Sequence, residues 1–195
     1  ILLINLAKGE IGEENSNFLG LMLIPRILIA AMSRQDIPED QRRDFFLYVD
    51  EFQNFATPDF AQILSEARKY RLNLAVANQF VGQIDEEIKN AIFGNIGTLM
   101  SFRVGVSDAN YLSHEFSPVF AEEDLLNVER YHAFMKTTVN NEPLPPFSVD
   151  LTKDMTSQKA LENPRMAELI KEMSRLKYGR DRAIVEAELA RRSKL

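Results

Sequence analysis

Two acids, Asp50 and Glu51, follow an unbroken apolar run in FFLYVDEFQNF, residues 45–55. The run is too short and too aromatic for a helix and reads as a central strand covered on both faces, as in parallel sheets. Open α/β sheets bind ligands at the carboxyl ends of such strands. An acid pair placed there suits nucleotide hydrolysis, the arrangement called Walker B: Asp50 would hold Mg²⁺ beside the nucleotide, and Glu51 would act as base toward the attacking water. The same residues also fit a plain strand that leaves the core through two acids in a turn.

A second apolar run ends in polar residues at LAVANQF, where Asn78 and Gln79 follow the strand and Gln79 lies 29 positions beyond Asp50. Parallel pairing would bring this end beside Asp50 and Glu51. A Gln amide both donates and accepts, so Gln79 could orient a water near a γ-phosphate. A strand closed by a turn-forming Asn is the plainer alternative. In SEARKYRL, Arg68, Lys69 and Arg71 crowd the end of a helix, where its dipole favours cations. The functional alternative is an arginine finger, a guanidinium offered to a neighbouring subunit's γ-phosphate, with Arg68 as first candidate and Arg103 in SFRVG as second.

The elements that must position these residues follow from periodicity. Residues 1–7 read as a buried strand, and the Asn15-Ser16-Asn17 cluster as the start of a helix over 18–33 that is apolar on nearly every face, enclosed, and bent by Pro25. Helices are expected over 58–70, 85–93, 109–116 and 121–128, and strands over 72–77 and 98–104. Strands alternating with helices imply parallel pairing. Residues 131–139 and 146–151, joined by NNEPLP, read as a hairpin at the sheet edge. A polar linker over 152–163 then leads to a helical hairpin, 165–177 and 182–193. The expected fold is α/β, a three-layered, mostly parallel sheet with an antiparallel edge hairpin and a helical appendage, divided into 1–151 and 152–195.

Composition sets the bounds. The chain of 195 residues has ordinary apolar and charged fractions, which argues against disorder and fibres. It begins inside a strand-like run and reads as cut from a longer protein. The longest apolar stretch, 18–32, is interrupted by Pro25 and Arg26 and reads as too short to span a bilayer. With no cysteine, disulfides, thiolate metal sites and a Cys nucleophile are excluded. The two histidines, His114 and His132, lack partners at ligand spacing. The net charge of −6 divides unevenly: from Asn163 onward nine Lys and Arg stand against five Asp and Glu, a surplus of +4, so residues 1–162 carry −10.

In the order LLINLAKG, LYVDEFQNF, ARKYRL, LAVANQF and GTLMSFRVG, residues 1–151 resemble the HerA/FtsK-like P-loop motor ATPases, especially the type IV secretion coupling proteins of the TraD and TrwB kind. The resemblance implies a RecA-like core, a hexameric ring, ATP and Mg²⁺ as cofactors, and translocation of DNA, double-stranded by preference, through the pore. It implies that Asp50 and Glu51 are the Walker B pair, with Asp50 on the metal. It further implies that Gln79 is the strand-end sensor, that Asn78 and Arg103 are nucleotide contacts, and that Arg68 reaches a neighbour's nucleotide. It also implies a cytoplasmic location at the inner membrane, with secretion or membrane partners engaged through parts outside this chain.

Two departures stand against that pattern. Family members more often carry Thr or Ser where this chain has Asn78. No GxxxxGK[ST] occurs among the eight glycines, so no phosphate cradle is present; in the family it lies upstream of the first strand. The alternative reading is a non-catalytic α/β scaffold or interaction domain derived from such an ATPase. A nuclease would need further metal-binding acids beside Asp50 and Glu51.

Overall fold

The computed structural model describes residues 1–57, 60, 64 and 66–193, with the backbone alone at 153–156. It divides into two units, Ile1–Val149 and Asp150–Leu195.

The first unit opens with an irregular segment, a short helix α1 (Lys8–Ile11) and a long helix α2 (Glu13–Met32). Residues 1–7 form no strand, contrary to the expectation: they enter no ladder with the described strands, and Ala7 N–H donates to the Asn5 side chain at 3.0 Å. Instead Ser16 Oγ donates to the Leu6 carbonyl at 2.6 Å and ties the segment to α2. Helix α2 starts at Glu13, ahead of the expected Asn cluster. Glu13 and Glu14 lie in its first turn, where acids complement the positive end of the helix dipole.

Only one stripe of α2 is buried: Ser16, Gly20, Ile24, Leu28 and Ala31. This is the spacing of one helix face. Phe18, Met22 and Ile29 are exposed, so the expected enclosure on all sides is not found. Glu13–Asp36, 24 residues, is long and apolar enough to cross a membrane by length and composition, which corrects the expectation that this stretch is too short. Gly20 is required by packing: a Cβ there would run into the Phe55 ring. Gly20→Ala is therefore expected to cost about 1–3 kcal/mol by overpacking, measured by urea denaturation.

Strand β1 (Phe45–Val49) pairs in parallel with β2 (Leu72–Val76), in register from Phe45↔Leu72 to Val49↔Val76. Leu47 and Val49 face the main core, while Phe46 and Tyr48 are exposed. Side chains alternate between faces along a strand, so β1 is covered on one face, not on both as expected. The core joins α2 to Phe52, Phe55 and Phe60 after β1, to Leu72, and to Ile88 and Ile92 of α3 (Glu86–Asn95). Of the expected helix over 58–70, the described residues 60, 64 and 66 are helical and the last four, Ala67–Tyr70, form a 3₁₀ turn; 58, 59, 61–63 and 65 lie outside the described residues.

Strand β3 (Thr98–Ser101) was expected in the parallel sheet but pairs antiparallel with β4 (His132–Val139), from Thr98↔Thr137 to Ser101↔Phe134. Between them, α4 (Val106–Phe116) and α5 (Glu122–Leu126) close a second core of Ala109, Leu112, Phe116 and Leu125 against Leu99 and Phe134. That packing returns the chain alongside β3 in the opposite direction. Strand β4 turns through Asn140 and Asn141, both at positive φ (53° and 65°), into β5 (Glu142–Pro143), with Val139 opposite Glu142. Two consecutive left-handed residues make the hairpin turn that matches strand twist, and Asn tolerates that conformation. Strand β6 (Phe147–Asp150) also pairs with β4. Among the described residues the fold is thus mixed α/β, with one parallel pair and one antiparallel sheet, in place of a mostly parallel one.

In the second unit the expected polar linker contains a helix, α6 (Thr152–Lys159). Helices α7 (Pro164–Tyr178) and α8 (Arg182–Arg192) follow, and neither buries a residue. Gly179 joins them in an extended conformation.

Candidate active site

The register of β1 and β2 brings the ends of both strands together. Ala77 N–H donates to Val49 O at 2.9 Å and Phe52 N–H to Ala77 O at 2.9 Å, continuing the ladder past the strands and fixing the intervening Asp50 and Glu51. Glu51 is held at φ 49°, ψ 44°, a left-handed conformation that costs a non-glycine residue about 1–2 kcal/mol. Strain of this kind concentrates where a side chain must be aimed.

The aim is toward two amides. Gln79 Nε2 donates to Glu51 Oε1 at 2.7 Å, and Gln53 Nε2 donates to Oε2 at 2.6 Å. Glu51 O accepts from Asn54 N–H at 3.0 Å and from Asn54 Nδ2 at 3.1 Å. Asp50 is exposed, and its Oδ1 accepts from Glu51 N–H at 3.0 Å. Asp50, Glu51 and Gln79 thus form one cluster at the carboxyl ends of the parallel pair.

A cleft of about 620 Å³ opens beside the cluster, within the range of small-ligand sites. Lys8, Asp50, Glu51 and Asn54 line it together with apolar Leu6, Leu23, Ile24 and Val49. Lys8 Nζ sits 2.8 Å from Glu13 Oε1 and 3.3 Å from Asn54 Oδ1, bringing a cation to the same cleft. Among the described residues no group of three or more His, Cys, Asp or Glu could hold a metal ion. Asp50 fits instead the Mg²⁺ pattern of one or two carboxylates completed by substrate phosphates and water.

The other candidates lie elsewhere. Arg68 is exposed in the turn before β2, while Gln79 follows β2. A five-residue strand, about 17 Å at ordinary rise, separates their backbones, so one chain does not bring Arg68 to the acids. That turn is pinned by Arg42, which donates to the Lys69 carbonyl and lies 5.6 Å from the Tyr70 ring centroid. Asn78 is exposed beside Gln79. Arg103 is exposed after β3, in the antiparallel sheet.

Gln53, Lys8 and Asp108 were not singled out from the sequence. Gln53 could have been found by its place two residues after Glu51. Asp108 is buried, and its carboxylate accepts from Val81 N–H at 3.0 Å and Gly82 N–H at 3.2 Å. It holds the loop that carries Gln79, a role invisible in GVSDAN, where it reads as an ordinary first-turn acid. Asp108→Ala leaves both donors unmatched and is expected to cost about 1–3 kcal/mol, read as a lower urea midpoint.

Comparison with known proteins agrees with this architecture. Residues 44–143, which are 100 of the 195, match the family described as the TraM recognition site of TraD and TraG. No curated protein matches the chain. Among solved structures the chain is similar to a bacterial conjugative coupling protein, TrwBdeltaN70, in its unbound monoclinic form, with TM-score 0.54 and 17% identity. That match covers 71% of this chain and 39% of the other, so this chain spans well under half the length of that relative. At this identity the likeness is one of fold. The family match covers more than half of the residues, and the chain belongs to the TraD/TrwB-like coupling protein family, within the part described as the TraM recognition site.

Proposed function

We propose that this chain forms part of a RecA-like, three-layered motor domain in an ATP-driven hexameric coupling ATPase that translocates double-stranded DNA. The observation that carries the reading is the 2.7 Å hydrogen bond joining Gln79 to Glu51 across the ends of two parallel strands. A carboxylate and an amide side by side where α/β sheets bind ligands support a base with an amide partner. When bound, ATP with Mg²⁺ would supply the transferable phosphoryl group and neutralise its developing charge.

The chain's residues then have distinct tasks. Asp50 offers an exposed carboxylate to the metal. Glu51 takes a proton from the attacking water, and Gln79 and Gln53 hold its carboxylate in place. Asn78 contacts the nucleotide beside Gln79, and Arg103, after β3 and away from the acids, serves a neighbour's nucleotide. Arg68, remote from its own chain's acids, serves a neighbouring subunit. Phosphate binding falls to a glycine-rich loop outside this sequence. The family description favours a TraM-type protein partner, and the inner membrane's cytoplasmic face is the expected location.

Gln79→Ala in the full-length protein tests the reading. ATP turnover is expected to fall by about 10²-fold or more, with nucleotide binding retained, in steady-state hydrolysis and nucleotide-binding assays. Wild-type turnover in the variant would overturn it.

A further inference from the structure

Helix α7 is built to persist without a packed neighbour. The Asn163 side chain accepts from Met166 N–H at 3.0 Å, Pro164 occupies the first turn, and Arg175 and Lys177 lie in the last. Each feature favours a helix end. Its apolar side chains nevertheless point to solvent: Met166, Leu169, Ile170, Met173 and Leu176 are all exposed, Leu176 by 82%. Their spacing of three and four is a two-heptad seam, with Met166 and Met173 at a, Leu169 and Leu176 at d.

The charges beside the seam select an occupant. In this register Arg165 and Glu172 fall at g, and Ile170 and Lys177 at e. A parallel, in-register second copy sets Glu172 against the copy's Lys177, twice by symmetry, and stacks a on a and d on d. An antiparallel copy centred on the helix sets g against g and e against e, so Glu172 meets the copy's Glu172, a repulsive contact, and Lys177 gains no acid. An anionic bilayer would meet Arg165 and Lys177 as well as Glu172 beside the apolar face, and only a second copy uses all of Glu172 and Lys177 in opposite-charge pairs; the vesicle arm of the test below separates the two occupants. Within one chain Lys177 rests against the Tyr178 ring, 5.2 Å from its centroid, and it would swing across to the acid.

We propose that α7 is a self-association seam, joining this chain to a second copy through a parallel, in-register coiled coil of Met166, Leu169, Met173 and Leu176 with Glu172–Lys177 pairs across the contact. The helix lies outside residues 44–143, so the contact does not depend on the ATPase reading. Two heptads alone are marginal. The association is therefore weak and concentration-dependent, adding to whatever holds the assembly elsewhere.

Sedimentation equilibrium of the whole 195-residue chain over rising concentration tests this directly. Wild type is expected to gain mass with concentration, Glu172→Lys to associate about tenfold more weakly, and Glu172→Lys with Lys177→Glu to recover. Because the chain has no cysteine, an introduced one reports direction. Leu176→Cys is expected to oxidise to symmetric disulfide dimers, and a mixture with Met166→Cys to give few mixed ones. Circular dichroism confirms that each variant keeps its helices. A wild type monomeric at every concentration, a double charge variant as weak as the single, or mostly mixed disulfides would overturn the proposal. So would a monomer that instead binds phosphatidylserine vesicles.

Discussion

Replacing Glu51 with Gln is expected to lower ATP turnover by the full-length protein by about 10²–10⁴-fold, the usual contribution of a positioned general base. The substitution keeps size and shape and removes the proton acceptor. It also breaks the fit to its neighbours, because Glu51 now accepts one amide on each oxygen, from Gln79 at 2.7 Å and Gln53 at 2.6 Å. A Gln has one accepting oxygen and would turn its own N–H groups toward the second donor. The stability loss is expected to stay near 1 kcal/mol, since the backbone bonds that fix the loop do not involve the side chain. Hydrolysis rates beside thermal melts separate the two effects. Unchanged turnover in the variant would show that Glu51 is not the base.

Phe52→Ala is expected to destabilise the fold by about 3–5 kcal/mol, as large aromatic truncations in cores do. Phe52 is fully buried, and its ring centroid lies 4.7 Å from that of Phe60. Its N–H would still donate to Ala77 O, so the loss comes from the cavity and the missing ring contact. Tyr48 provides the contrast four residues earlier. It belongs to β1, just before the turn that carries Phe52, but is 76% exposed, and Tyr48→Ala is expected to change stability by about 0.5 kcal/mol or less. Urea titration of both variants reads the difference. Equal effects would mean that β1 is covered on both faces in solution.

These contrasts show what the sequence could and could not convey. The meeting of Glu51 with Gln79 was legible because two apolar runs ended in polar residues, and parallel strands in register bring such ends together. The direction of β3 was not legible. Alternating strands and helices favour parallel crossovers, yet here α4 and α5 pack on their own core, and β4 returns beside β3. The exposure of Phe46 and Tyr48 was hidden because apolar residue types do not say which neighbours are present to cover them. Helix α6 was hidden by its polar composition, TKDMTSQK. Asp108 was missed because its partners, Val81 and Gly82, are backbone groups 27 and 26 positions away, and a backbone donor leaves no mark in residue types.

The most direct measurement is steady-state ATP hydrolysis by the full-length protein, assembled and folded, with and without double-stranded DNA. A coupling motor predicts turnover that rises when DNA is added. Absence of turnover in a folded hexamer would contradict the motor reading and leave a non-catalytic scaffold of the same fold.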